Sequence, residues 1–138
     1  MDLKLAVLAD FASITREGKL NILGIFDEIN PAALPVTLPI FYVVVSYSAG
    51  ATEFETDKTL GIALQTEDGN ILVRLEQAAH VARPARPGTR TKVNQLHALV
   101  GLPFEAAGSY EFVLSVDGRP EGSIPLRVNA PAAAEGTE

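Results

Sequence analysis

EAAGSYEFVLSVDGRPEGSIPLRV, residues 105–128, decides the class of fold. Gly108, Tyr110 and Phe112 fall at alternating positions, which is the period of a strand. VDGRPEG (116–122) is rich in turn formers. SIPLRV (123–128) reads as a last strand. Pro125 has no N–H to give a ladder, so that strand belongs at an edge or a bulge. The stretch is a corner, a strand, a turn and a second strand.

The same grammar runs through the rest of the chain. LKLAVLADF (3–11) and LNILGIFDEI (20–29) flank the turn TREGK (15–19) and form a hairpin. In the second of these, Leu20, Ile22 and Phe26 share one face, and Leu23 and Ile25 share the other. Gly24 between them marks a bulge or a close backbone approach. NPAALPVTLP (30–39) has three prolines and reads as a crossing between sheets. IFYVVVSYS (40–48) is β-branched, aromatic and apolar on both faces, the pattern of a central strand. AGATEFETDK (49–58) reads as a polar loop. TLGIALQT (59–66) points Leu60, Ile62 and Leu64 inward. Asp68-Gly69 joins it to ILVRLEQAA (71–79) with the residues of a type I′ turn. HVARPARPGTRTK (80–92) is a loop. VNQLHALVGL (93–102) alternates as Leu96, Ala98 and Val100, while Val93, Leu96 and Val100 also fit a helical face; amid β segments it is read as a strand, with His97 facing out.

Eight or nine strands with Pro/Gly punctuation and no clear helix give an all-β fold, a two-sheet antiparallel sandwich. GSYEF (108–112) has the form of the tyrosine corner of immunoglobulin-like sandwiches, with Phe112 where those domains place a cysteine. The expected topology is immunoglobulin-like or a related Greek key, over residues 1–128. NAPAAAEGTE (129–138) reads as a flexible, acidic, Pro/Ala-rich tail. KLNILGIFDEI, LPIFYVVV and LPFEAAGSYEFVLSVDG, taken in order, resemble a family of short single-domain bacterial proteins of unknown function. The resemblance implies a bacterial, cytoplasmic protein and carries no activity, cofactor or site residue.

Composition sets further bounds. With 138 residues, 47% hydrophobic and 20% charged, one ordinary globular domain is expected. The formal net charge of -6 disfavours nucleic acid and anionic membrane as partners. The chain has no cysteine, which removes disulfides, thiolate metal sites and thiol nucleophiles. Asp10 interrupts the short apolar run Leu5–Ala9, so no signal peptide is read at the N-terminus. No apolar run reaches membrane-spanning length.

Catalytic signatures are sparse. There is no G-x-S-x-G, Walker A or G-x-G-x-x-G pattern. His80 and His97 lack a ligand-spaced neighbour, so no metal or cofactor is expected. Glu53, Glu55 and Asp57 in TEFETD can converge on calcium only if the chain curves around it. Otherwise they line a solvent face. Asp10 and Asp27 end strands expected to be neighbours, and they are the pair to weigh for carboxylate-based hydrolysis. The local departure from average is a basic loop, where Arg83, Arg86, Arg90 and Lys92 fall within ten residues that contain no acid. Its prolines stiffen it, and arginine forks suit carboxylates and phosphates. The expectation is a non-enzymatic protein-interaction or assembly module, acting on a protein partner or by self-association, with these four residues as the candidate site. The alternative is nucleic-acid or anionic-ligand binding through residues 83–92. The N-terminal strand, with only Lys4 and Asp10 to guard it, is a second place where a dimer could form.

Overall fold

The computed structural model describes residues 1–132. Its strands are β1 (Asp2–Ile14), β2 (Leu20–Phe26), β3 (Glu28–Ile29), β4 (Val36–Ala49), β5 (Thr56–Gln65), β6 (Ile71–Val81), β7 (Thr91–Phe104), β8 (Gly108–Val116) and β9 (Arg119–Val128). One sheet has the order β2-β1-β4-β7 and the other β3-β9-β8-β5-β6. All pairings are antiparallel except β3 on β9, which are parallel over two residues. The chain is therefore an all-β sandwich. Among the described residues a 3-10 turn, Ala51–Glu53, is the sole helical element.

The core lies between the sheets. Phe41 of β4 meets Phe112 of β8 edge to face at 6.2 Å and Phe26 of β2 at 5.9 Å. Phe104 and Tyr110 do the same at 5.0 Å. Leu60, Ile62 and Leu64 are buried, as their alternation requires. The Tyr110 hydroxyl donates to the Ala106 carbonyl at 2.6 Å and fixes the entry to β8. Both residues of the Asp117–Gly118 turn have positive φ, so the type I′ turn sits there, where it closes β8 onto β9. The turn at Asp68–Gly69 has positive φ only at Gly69, and its chain is joined by Gly69 N–H to Thr66 O at 3.0 Å. Pro125 faces a margin of β9 that β3 does not reach, since β3 pairs only with Arg127 and Val128. Asn129 is tied down as well: its N–H donates to Ile29 O at 3.0 Å and its side-chain amide to Asn30 at 2.7 Å. Residues 133–138 of the expected tail lie outside the described residues.

The first hairpin positions the surface that matters below. β1 pairs with β4 only as far as Ala9↔Tyr42, yet it stays paired with β2 to Ile14↔Leu20. Past Ala9 the two strands leave the sheet together. Gly24 permits this. Its φ is +71° and a Cβ there would collide with the Asp10 carboxylate, the close approach that a glycine inside a strand marks. The hairpin tip then returns over the β4–β7 surface, where Asn94 donates to Gly18 O at 3.5 Å. An extended strand would hold Lys4 and Ile14 about 30 Å apart. Instead, Lys4 and the tip residues Gly18 and Lys19 wall one depression. The hairpin is a flap over the outside of the sheet. Ala9, Ala12 and Val44 are buried but do not belong to the core between the sheets.

β7 faces the opposite way from the sequence reading. Val93, Gln95 and Leu99 are buried, whereas Ala98 and Val100 are exposed. His97 shares the alternation of Gln95 and is half-buried. The sequence misled because the inner face of this strand carries two polar side chains, joined through the Gln95 amide nitrogen.

Candidate functional site

The basic loop spans Ala82 to Arg90, and its four cations have different situations. Arg90 is built into the fold. Its Nε donates to Ser48 Oγ at 2.6 Å, and its Nη2 to Ser48 O at 3.0 Å and Asp2 Oδ2 at 2.8 Å. The guanidinium of Arg83 lies 5.8 Å from the Phe54 ring centre, and its backbone N–H donates to Glu55 at 3.1 Å. Arg86 is exposed, and among the described residues its side chain makes no hydrogen bond or ion pair. Lys92 is on β7, opposite Ser48. The fold thus holds Arg90 in place beside Ser48, sets Arg83 over Phe54 and leaves Arg86 in solvent. Arg90→Glu is expected to cost about 1–2 kcal/mol, because three hydrogen bonds are lost and a carboxylate is set beside Asp2. Arg86→Glu is expected to stay within about 0.5 kcal/mol. Thermal unfolding of both variants checks this.

Lys92 keeps other company. With Lys4 and Lys19 it surrounds the depression under the flap tip, about 300 Å³, floored by Ser46 and Asn94. Ser46 donates to Asn94 at 2.7 Å. Among the described residues none of these three lysines makes an ion pair. The sequence hides this grouping because the flap brings residues 4, 19 and 92 together.

The acidic residues disperse. Glu53 binds the Met1 ammonium at 2.7 Å and Lys58 at 3.4 Å. The hydrogen bond from Met1 holds its carboxyl below the usual range, against the opposing effect of burial. Asp57 and Glu55 turn instead to His80, with Asp57 at 2.8 Å. TEFETD does not close around a point, and among the described residues no three metal-ligating side chains converge. Asp10 and Asp27 are exposed and border different clefts, one against Leu38–Phe41 and the other against Tyr110 and Arg127.

Three polar side chains, Tyr47, Gln95 and His97, point inward. The Tyr47 hydroxyl is buried without a partner among the described residues. Burial first, and then Glu121, push its pKa up to about 12. His97 Nε2 lies 3.1 Å from Gln95 Nε2, which also donates to Leu60 O at 3.3 Å. Neutral His97 accepts from this amide, whereas protonated His97 cannot. Burial lowers its pKa below 6.5. Its contribution to stability is therefore whole above pH 6.5 and is lost as pH falls toward the lowered folded value. His80, raised by its hydrogen bond to Asp57, has the opposite sign: its contribution is present below pH 6.5 and fades above it. His97→Gln is expected to flatten the fall of the unfolding midpoint between pH 7 and 5, and His80→Gln to steepen it.

The largest departure from an ordinary surface is apolar. Val100 is 73% exposed, Leu23 64%, Ile25 62%, Phe11 46% and Ile40 46%. Strand pairing makes them contiguous. Leu23 pairs with Phe11, whose ring meets Tyr42 at 5.3 Å. Ile25 pairs with Ala9 and Ala9 with Tyr42, which pairs with Ala98. Ile40 pairs with Val100. The surface surrounds the point where the flap leaves the sheet. The sequence signal for it was apolar residues on both faces of LNILGIF and IFYVVV. β2 covers β1 only from Leu8 to Ile14, whereas Asp2–Val7 pair on one side alone, with β4.

Among the described residues no helix is long and apolar enough to cross a membrane. No curated protein matches the chain. A family model matches residues 4–129. The chain belongs to that family, a family of unknown function (DUF6941).

Proposed function

We propose that the domain is a non-enzymatic protein-interaction or assembly module. The observation that carries this reading is the contiguous open surface of Phe11, Leu23, Ile25, Ile40 and Val100. Scattered apolar side chains are normal on a surface, but a contiguous apolar patch marks a place that is covered in use. The separate, exposed settings of Asp10 and Asp27 support the absence of carboxylate-based hydrolysis. The Tyr110 corner supports kinship with immunoglobulin-like sandwiches. The lack of cysteine and the acidic balance suit a bacterial cytoplasm. The test is capture of partners by the tagged chain from native lysate, with Ile25→Glu/Val100→Glu set beside Arg83→Glu/Arg86→Glu. Loss in the first and retention in the second is expected. The reverse pattern would return the site to the basic loop.

A second reading, binding of an anionic ligand, is favoured by the grouping of Lys4, Lys19 and Lys92. It moves the expected anion site from the loop to the depression under the flap. Affinity for inorganic phosphate or a short oligonucleotide that falls steeply with salt and is lost in Lys19→Glu would support it.

A further inference from the structure

Resting on the reading of the apolar surface as an interaction face, we propose that its occupant is a second copy of this chain, packed face to face across a two-fold axis. Charge restricts where two copies can meet. Each copy carries a formal net charge of -6, so two copies repel one another over most of their surfaces. The patch limits that repulsion, because Phe11, Leu23, Ile25, Ile40, Tyr42, Ala98 and Val100 are uncharged and Asp10, beside Ile40, is an acid at its margin. Symmetry argues for a second copy. A two-fold contact sets the same residues against themselves, which an apolar patch tolerates and a cationic one, such as the Lys4–Lys19–Lys92 depression, does not.

Area completes the argument. At their observed exposures the five open side chains present on the order of 500 Å² of apolar surface. Two copies together bury on the order of 1,000 Å², about the lower bound for a specific interface. A dimer in reversible equilibrium is therefore expected. Sheet faces stack about 10 Å apart with aligned strands, and the bend at Asp10–Gly24 leaves Ile40 and Val100 uncovered by the flap. The six residues after Ala132, Ala-Ala-Glu-Gly-Thr-Glu, hold no large apolar side chain that would compete for the patch.

The test is light scattering on the purified full chain across a concentration series. The expected mass approaches twice 14.7 kDa at high concentration and falls to that of one chain on dilution. Ile25→Glu/Val100→Glu is expected to raise the dissociation constant at least 100-fold with an unchanged unfolding midpoint, and Arg86→Glu to leave it unaltered. If the double variant unfolds, Val100→Glu alone serves, since that side chain is largely in solvent. A wild-type chain that stays monomeric throughout overturns the second-copy inference. The interaction-face reading then stands or falls separately, on whether capture of a different protein needs Ile25 and Val100. A dimer that persists in a folded double variant overturns the inference as well, by placing the contact elsewhere.

Discussion

Phe41→Ala is expected to lower the stability of the domain by about 3–5 kcal/mol, the usual cost of emptying a buried phenylalanine site. The unfolding midpoint should fall by about 10 °C or more. Phe41 joins three elements at once, since its ring meets Phe26 of β2 and, across the sandwich, Phe112 of β8, each edge to face. Strands on both sides hold their backbones in register, so the site cannot easily collapse to fill the void. Val100→Ala, on the open surface, is expected to change stability by less than about 0.5 kcal/mol. Circular dichroism melts of both variants check the contrast. A loss below about 1 kcal/mol at Phe41 would mean that the two sheets do not meet through this ring.

Much of this architecture was legible because strands announce themselves by alternation and by their turns. GSYEF located the corner that Tyr110 makes with Ala106, and Gly24 marked the close approach of Asp10. Where the sequence misled, interactions remote in sequence were responsible. LNILGIFDEI read as one strand, but it is cut at Asp27, where the chain crosses from one sheet to the other. VNQLHALVGL read with Leu96, Ala98 and Val100 inward, because apolar residues are assumed to face the core. Its inward side instead holds Gln95 and His97, joined to each other and to Leu60 O, and Val100 is left in solvent.

The candidate site was less legible than the fold. Clustering of Arg83, Arg86, Arg90 and Lys92 in sequence suggested one cationic surface, but local spacing says nothing about which side chains the fold consumes. Ser48 and Asp2 take Arg90, Phe54 lies under Arg83, and Lys92 joins lysines from β1 and the flap. An apolar residue open to water has no such local signature. It looks like core until the other layer proves to be missing.

Ile25→Glu/Val100→Glu is expected to reduce partner affinity at least 100-fold, or about 3 kcal/mol at 25 °C. A carboxylate buried in an apolar contact must be desolvated without a partner, which costs more than the lost contact itself. The two residues stand on strands at opposite margins of one sheet, so the pair tests the width of the surface rather than one spot. Both side chains are mostly in solvent, and the fold should be unaffected. Arg83→Glu/Arg86→Glu is the matched control for charge reversal, since it adds acid to the same protein without touching the patch.

The most direct measurement uses the absence of cysteine, which makes any introduced thiol unique. Val100→Cys and Arg86→Cys would each be modified with a small thiol reagent, first in dilute buffer and then in concentrated native lysate. Protection of at least ten-fold at Val100→Cys, with Arg86→Cys unchanged, is the expected result for an apolar surface that is covered in use. Equal reactivity of Val100→Cys in both settings would show the surface bare and contradict its assignment as the interaction face.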